Sequence, residues 1–502
     1  MNDVTPATGK QFFGHPRGLA TLFFTEMWER FSYYGMRALL ILFMTAAIGQ
    51  GGLGIDPRHA GAIYGLVTSG VYLFSLPGGW IADRLIGQRN AVFAGGMLIS
   101  AGNFMLAVPA GAPLFFGGLL TIALGTGLLK PNVSCIVGQL YEGQSGSRRD
   151  AAFSIFYLGI NLGATIAPLV SGTIGETVGY RWGFCAAGVA MLIGLAQYRI
   201  AGHHLGATGE LPAERHGAEQ RRNLRKFVPA LGVFGVIVAL VGFGVIPVDP
   251  LQLANIAGVV MLALAVLFFG SVLLFADLTR AEKKNVGIIM LLFISSMVFW
   301  AGYEQAGSTL NLFARDFTDR SLFGSLFVTG MHPASWYQSV PPFFVILLAP
   351  LFAWLWIALD RRQRDPSALA KFGLGLLQLG LSFVVMMLAA ELAARSGHKV
   401  LPLWLVATYF LQTTGELCLS PIGLSNVTKL APPRFVGQMM GTWFLATALG
   451  NLAAGLIGGE IGSGSIDAMP ERFLHMALIG GGAGLAMLLI AFVLRQRQSA
   501  AA

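Results

Sequence analysis

The stretch from Thr25 to Arg37, TEMWERFSYYGMR, puts four charged side chains inside an apolar run that extends over about 19–48. Such a run is long enough to cross a bilayer as one helix, which takes roughly 20 residues. Glu26, Glu29, Arg30, Tyr33 and Arg37 follow one another at steps of three, one, three and four. At 3.6 residues per turn they fall on one helix face, with Leu, Ile, Phe and Met opposite. A charge at bilayer depth costs roughly 2.5–3.5 kcal/mol on insertion scales. Four on one face are tolerable only where that face looks into protein or a water-filled cavity. The plainer alternative is a salt-bridge cluster that pins this helix to its neighbours.

The rest of the chain fits a membrane setting. Of 502 residues, 55% are apolar and 11% charged, the composition of an all-α polytopic membrane protein. The formal charge of +9 is no sign of nucleic acid, because Lys and Arg punctuate the ends of apolar runs instead of forming a patch. Cys135, Cys185 and Cys418 lie inside apolar runs without metal-ligand spacing and read as small buried residues. The first apolar run is too long and too charged for a cleavable signal peptide.

Apolar spans are read at about 19–48, 59–83, 90–108, 113–138, 151–175 and 181–200. Two more, about 227–246 and 251–276, flank the turn Pro247-Val248-Asp249-Pro250. Six follow at about 286–313, 334–359, 367–394, 401–430, 435–459 and 471–494. The expected architecture is therefore fourteen transmembrane helices: a six-helix bundle over 1–200, a linker and inserted two-helix hairpin over 201–285, and a second six-helix bundle over 286–502. With the N-terminus inside, most Lys and Arg fall at cytoplasmic ends, so the positive-inside rule puts both termini in the cytoplasm.

Outside the first span, mid-span charge is confined to Lys130, Glu304 and Glu416. Leaving the hairpin aside, the charged spans are the first, fourth, seventh and tenth of twelve. Each opens one of four successive three-span groups. A chain built from such repeats brings these four spans together around one central cavity. The hairpin carries no buried charge and reads as an external pair without a part in the chemistry.

Several motifs carry a resemblance. Gly79-Trp80-Ile81-Ala82-Asp83-Arg84-Leu85-Ile86-Gly87-Gln88-Arg89 resembles the loop motif of the major facilitator superfamily, with a degraded echo in Trp356-Ile357-Ala358-Leu359-Asp360-Arg361-Arg362. Asp83 and Arg84 are read from it as a cytoplasmic hinge or latch. Glu26-Met27-Trp28-Glu29-Arg30-Phe31-Ser32-Tyr33-Tyr34-Gly35 resembles the E-x-x-E-R-F-x-Y-Y-G signature of the proton-dependent oligopeptide transporter family. Segments similar to that family follow in order around Lys130, Asn161, Trp300 with Glu304, Glu416 and Trp443. The resemblance implies the major facilitator fold and a proton-coupled symporter that imports di- and tripeptides by alternating access across a bacterial inner membrane. It implies no enzyme activity and no cofactor, the proton serving as coupling ion, and a chain that works as a monomer in the lipid bilayer. Two departures stand out. Gln338-Ser339-Val340-Pro341-Pro342 lacks the polar residue that relatives carry near the start of this span. The place of a histidine used by animal relatives is taken by Gly65, after Tyr64, which leaves proton handling to carboxylates.

The charges support a matching reading of their own. Glu26, Glu29, Glu304 and Glu416 face Arg30, Arg37 and Lys130, one carboxylate more than neutrality, and a bound proton is the least costly relief. A zwitterion brings both signs: its carboxylate competes for Arg37 or Lys130, its amine for Glu304 or Glu416. The expected proton-coupling set is Glu26, Glu29, Arg30 and Lys130, with Glu29 pairing to Lys130 in one state because sequence neighbours on a helix do not face each other. The expected substrate wall is Tyr33, Tyr34, Arg37, Tyr72, Lys130, Asn161, Trp300, Glu304, Glu416 and Trp443. The same fold moving another zwitterion or an anion is the open alternative. A membrane enzyme or sensor is more remote, since no HExxH, GxSxG or appended domain is visible.

Overall fold

The computed structural model describes residues 11–210, 217–242 and 244–499; the chain ends and the middle of the 201–226 linker, where the expectations for termini and linker partly fall, lie outside them. Twelve helices are long and apolar enough to cross a membrane, and two more polar helices of similar length, α1 (Arg17–Thr45) and α12 (Leu403–Leu430), bring the number to fourteen among the described residues. The first bundle continues with α2 (Pro57–Ile86), α3 (Gln88–Ala107), α4 (Ala112–Gln139), α5 (Gly146–Thr177) and α6 (Tyr180–Leu205). The hairpin is α7 (Gln220–Gly242) and α8 (Pro250–Phe275). The second bundle holds α9 (Arg280–Asp316), α10 (Ala334–Arg361), α11 (Ala368–Ser396), α12, α13 (Pro433–Gly462) and α14 (Ile466–Gln496).

Local chemistry sets many of the helix ends. Asp56 caps α2 ahead of Pro57, accepting from the backbone N–H of Arg58 and His59 at 3.0 and 3.2 Å. Asp249 does the same for α8 ahead of Pro250. Thr279 and Glu282 form a reciprocal capping box at α9. Gly397, at φ 67°, ends α11 in the left-handed conformation that glycine adopts freely. The basic segment before the hairpin is itself helical, so α7 starts ahead of the expected 227.

Three spans depart from regular α-helix, two of them where the cavity lies or the bundles meet. Pro168, which has no N–H to give, coincides with a π-type turn over Pro168–Gly172 in α5. A similar turn, Ala82–Ile86, ends α2 and holds Asp83. In α9 the α-helix stops at Tyr303, tightens to a 3-10 turn over Glu304–Gly307 and resumes at Thr309. The carbonyls and N–H groups freed there lie inside protein, the one place at bilayer depth where irregular backbone is tolerated.

In the first bundle α1 packs on α5 and α6, and α3 on α4 and α6. In the second, α11 packs on α12 and α14, and α9 on α13. The main seam between bundles is α2 against α13. A Cβ on Gly61 would stand 2.4 Å from the carbonyl oxygen of Gly455, and one on Gly455 would stand 2.4 Å from that of Gly61. With Gly65 and Gly459 this makes a small-xxx-small face on each helix, which lets the backbones touch. Helix α8 lies over both α2 and α13. Only Cys418 fits the expectation of three buried cysteines: Cys185 is partly exposed and Cys135, on α4, is exposed.

Candidate functional site

Six charged side chains meet at one central cavity of about 220 Å³: Glu26, Arg30 and Arg37 from α1, Lys130 from α4, Glu304 from α9 and Glu416 from α12. Cations come from the first bundle only; the second bundle contributes only carboxylates.

Along α1 the charges form two separate groups. Arg30 Nε lies 3.1 Å from Glu26 Oε1 and also pairs with Glu29 Oε2. Two turns on, Arg37 Nη2 meets Glu304 Oε2 of the other bundle at 2.7 Å. Its Nε donates to the Tyr64 hydroxyl at 2.7 Å. Gly307 is required beside them, because a Cβ there would stand 2.0 Å from that hydroxyl. Aromatic rings cover the cations: Arg30 lies 5.5 Å from the Tyr33 ring centre, Arg37 5.4 Å from Tyr34 and Lys130 4.2 Å from Tyr72.

Lys130 makes no ion pair among the described residues, so its ammonium is a cation on the cavity wall held only against Tyr72. The expected Glu29–Lys130 pair is therefore absent here, and Glu29 takes Arg30 instead. The neighbour rule fails because a buried arginine is long and flexible enough to fold back on the preceding residue. Glu29 is also fully buried and off the cavity wall. At about 100° per residue, Glu26, Arg30, Tyr33 and Arg37 span an arc of roughly 60°, while Glu29 is displaced about 60° from Glu26. Oε2 of Glu26 and Oε1 of Glu29 have no partner among the described residues.

Across the cavity, one oxygen of Glu416 and the indole Nε1 of Trp300 are likewise buried and unpartnered among the described residues. Tyr33, Tyr34, Tyr72 and Asn161 reach the wall as well. Trp443 does not. It packs against Phe372 and over Gly423, where a Cβ would meet its ring at 1.9 Å, and is core of the second bundle. Sequence reasoning passed over Tyr157 and Tyr303 on the wall, and Tyr64 behind Arg37. Tyr157 stands four residues before Asn161, and its carbonyl accepts from that side chain at 3.0 Å, so helical spacing could have found it. Tyr303 stands three residues after Trp300, whose ring centre lies 5.4 Å from its own, so the same spacing could have found it. Pro341 and Pro342 line the cavity beside Gln338 in place of the polar residue noted above.

The cavity is closed toward the Thr45 end of α1. There Asn311 donates to the Ala38 carbonyl at 2.8 Å, Arg315 to Thr45 at 2.9 Å, and Arg58 approaches Glu460 at 3.3 Å, each bond joining one bundle to the other. Two bundles closed over one end of a charged central cavity define a membrane transporter of the major facilitator architecture.

The comparisons narrow the class. The sequence matches the POT family over residues 89–214 and 233–465. It is 44% identical to the peptide transporter YePEPT of Yersinia enterocolitica subsp. palearctica over 481 residues, covering 94% of this chain and 93% of the relative. It is 41% identical to a di-/tripeptide transporter of Lactococcus lactis subsp. cremoris, with 88% of each chain covered. A crystal structure of a peptide transporter POT in complex with sulfate superposes with a TM-score of 0.86 at 40% identity over 96% of both chains. The chain belongs to the POT family, and is a transporter and not an enzyme.

Proposed function

We propose that this protein is a proton-coupled symporter that carries di- and tripeptides inward by alternating access of the central cavity. One observation carries the reading. Arg37 and Lys130 of one bundle, the latter without an ion pair among the described residues, face Glu304 and Glu416 of the other across a single cavity. A free-ended peptide is neutral overall but bears a carboxylate and an ammonium several ångströms apart, so it can bridge the bundles without adding net charge. Relatives named as peptide and di-/tripeptide transporters support the same substrate. A crystal structure of a POT, 40% identical, in complex with alafosfalin supports a ligand of this size.

In this reading Lys130 receives the substrate carboxylate and Glu416 the amine, with Trp300 and Asn161 as further donors. Glu26 and Glu29 carry the proton, with Arg30 as their counter-charge. Arg37 and Glu304 form the gate. The basic-residue asymmetry supports a bacterial inner membrane with both termini cytoplasmic. The closed end then faces outward and the cavity is turned to the cytoplasm. The enclosure of the whole pathway by one chain supports a monomer as the working unit.

The test is uptake of a labelled dipeptide into proteoliposomes, with and without an inward proton gradient. Free-ended di- and tripeptides should compete, and N-acetylated or C-amidated forms should compete poorly. Equal inhibition by doubly capped dipeptides would remove the bridging role of the two charges. A reporter at the C-terminus should read cytoplasmic.

A further inference from the structure

The closed end carries a carboxylate that the cavity does not use. Glu176 lies in the last turn of α5, beyond the π-type turn at Pro168–Gly172, with its side chain 13% exposed. Its bonds among the described residues reach across to the second bundle. Oε2 accepts from the backbone N–H of Ala334 at 2.8 Å, and Oε1 accepts from the N–H of Ser335 at 2.8 Å and from its hydroxyl at 2.6 Å. Arg320 Nη1 stands 3.6 Å from the carboxylate and donates to the His332 carbonyl at 2.6 Å, which fastens the loop before α10. One turn earlier on α5, the Thr173 hydroxyl accepts from the Trp336 indole at 2.8 Å. Gly172 permits the approach, since a Cβ there would stand 2.1 Å from the Ser335 hydroxyl.

Hydrogen bonds to an ionised acceptor are roughly twice as strong as neutral ones. Here three converge on one shielded carboxylate. Separating α5 from the start of α10 breaks all three together and leaves two backbone N–H groups without an acceptor. We propose that Glu176 is a second latch of the closed end, distinct from the Arg37–Glu304 pair. The two latches differ in what releases them. Arg37–Glu304 lies on the cavity wall, where an incoming charge competes for it. Glu176 lies off the cavity, so a solute in the site does not reach it, and it sets a standing bias toward closure.

The experiment needs no substrate, so its outcome is independent of what the cavity carries. Cys135, Cys185 and Cys418 are replaced by Ser, and spin labels are placed through Val178→Cys and Leu401→Cys, exposed positions on opposite bundles near the closed end. Distances are measured by electron–electron double resonance on full-length protein in nanodiscs. The parent should give one dominant short distance. Glu176→Ala should raise the longer-distance fraction about tenfold, the change expected for loss of one charged hydrogen bond net of hydration. Ser335→Ala, which removes the hydroxyl and keeps both N–H donors, should raise it about threefold. Should Glu176→Ala fail to fold, Glu176→Gln and Ser335→Ala carry the test. Unchanged distances in folded variants overturn the latch, and so does a lowered melting temperature with no longer-distance population.

Discussion

Two arginines on the same face of α1, two turns apart, are neutralised in opposite ways. Arg30 is paired with Glu26 and Glu29, both on its own helix. Arg37 is paired with Glu304 of the other bundle and bonded to Tyr64 of α2. A rocking motion of the bundles carries the first cluster along unchanged and must pull the second apart. The Arg30 cluster can therefore change state only through a proton or an incoming charge, whereas the Arg37 pair changes state with the shape of the molecule. Coupling requires both kinds of element, one that reads chemistry and one that reads conformation.

The largest effect expected from this difference is on the Arg30 cluster. Glu29→Gln mimics the protonated acid without disturbing any contact between bundles. It should reduce gradient-driven accumulation at least about tenfold, to the level of exchange, while peptide binding and counterflow at equal pH remain. Accumulation at the parent level would take Glu29 out of the mechanism and move the role to Glu26. Lys130→Ala should impair both accumulation and counterflow, because it removes a cation from the cavity wall.

Next in size is the cross-bundle pair. Arg37→Ala or Glu304→Ala leaves a buried charge without its partner, a change that typically destabilises by about 3–5 kcal/mol. Thermal melting of the purified variants should show this as a clear drop. The double variant Arg37→Met with Glu304→Leu should recover most of the melting temperature and none of the uptake. If both single variants melt like the parent, the pair is not what holds the closed end. A smaller contrast separates the two tryptophans. Trp300→Phe removes an indole N–H from the cavity wall and should raise the KM for a dipeptide about fivefold. Trp443→Phe touches only packing and should change KM by less than about twofold.

How much of this was legible beforehand differs between the charges and their partners. Step sizes in the sequence place Glu26, Arg30, Tyr33 and Arg37 together, because helix geometry is local. The same arithmetic, carried through, also sets Glu29 off to one side. The partners of Arg37 are not local: they depend on where α9 breaks and how close α2 comes, and neither follows from spacing. Trp443 sits in a matched motif, yet a motif gives no depth, and the structure uses it to fill space over Gly423. Glu176 left no signal at all. A lone carboxylate at the end of a span reads as an ordinary solvated charge, and only the arrival of the Ala334–Ser335 backbone makes it more.

The smallest expected effect tests whether pairing within a helix matters when water is at hand. Asp56 caps α2 and holds His59, its ring Nδ1 2.5 Å from Oδ2, while the other ring nitrogen lies 3.4 Å from Asp249 of the hairpin turn. Partial burial works against ionisation here, but the N–H groups of His59 and Arg58 and the His59 ring outweigh it and hold the Asp56 carboxyl below its usual range. A carboxyl depressed in the folded state contributes stability above its unfolded pKa and loses it as pH falls through the folded value. Asp56→Ala should therefore lower stability at neutral pH by about 1 kcal/mol, the usual worth of an N-cap, or a melting shift of roughly 1–2 °C in a chain of this length. The difference from the parent should shrink as pH is lowered below about 4 and leave uptake at neutral pH unchanged. A large loss of uptake in Asp56→Ala would mean that this exposed cap, with its tie to the hairpin, takes part in the motion between the bundles and is not a local end-stop.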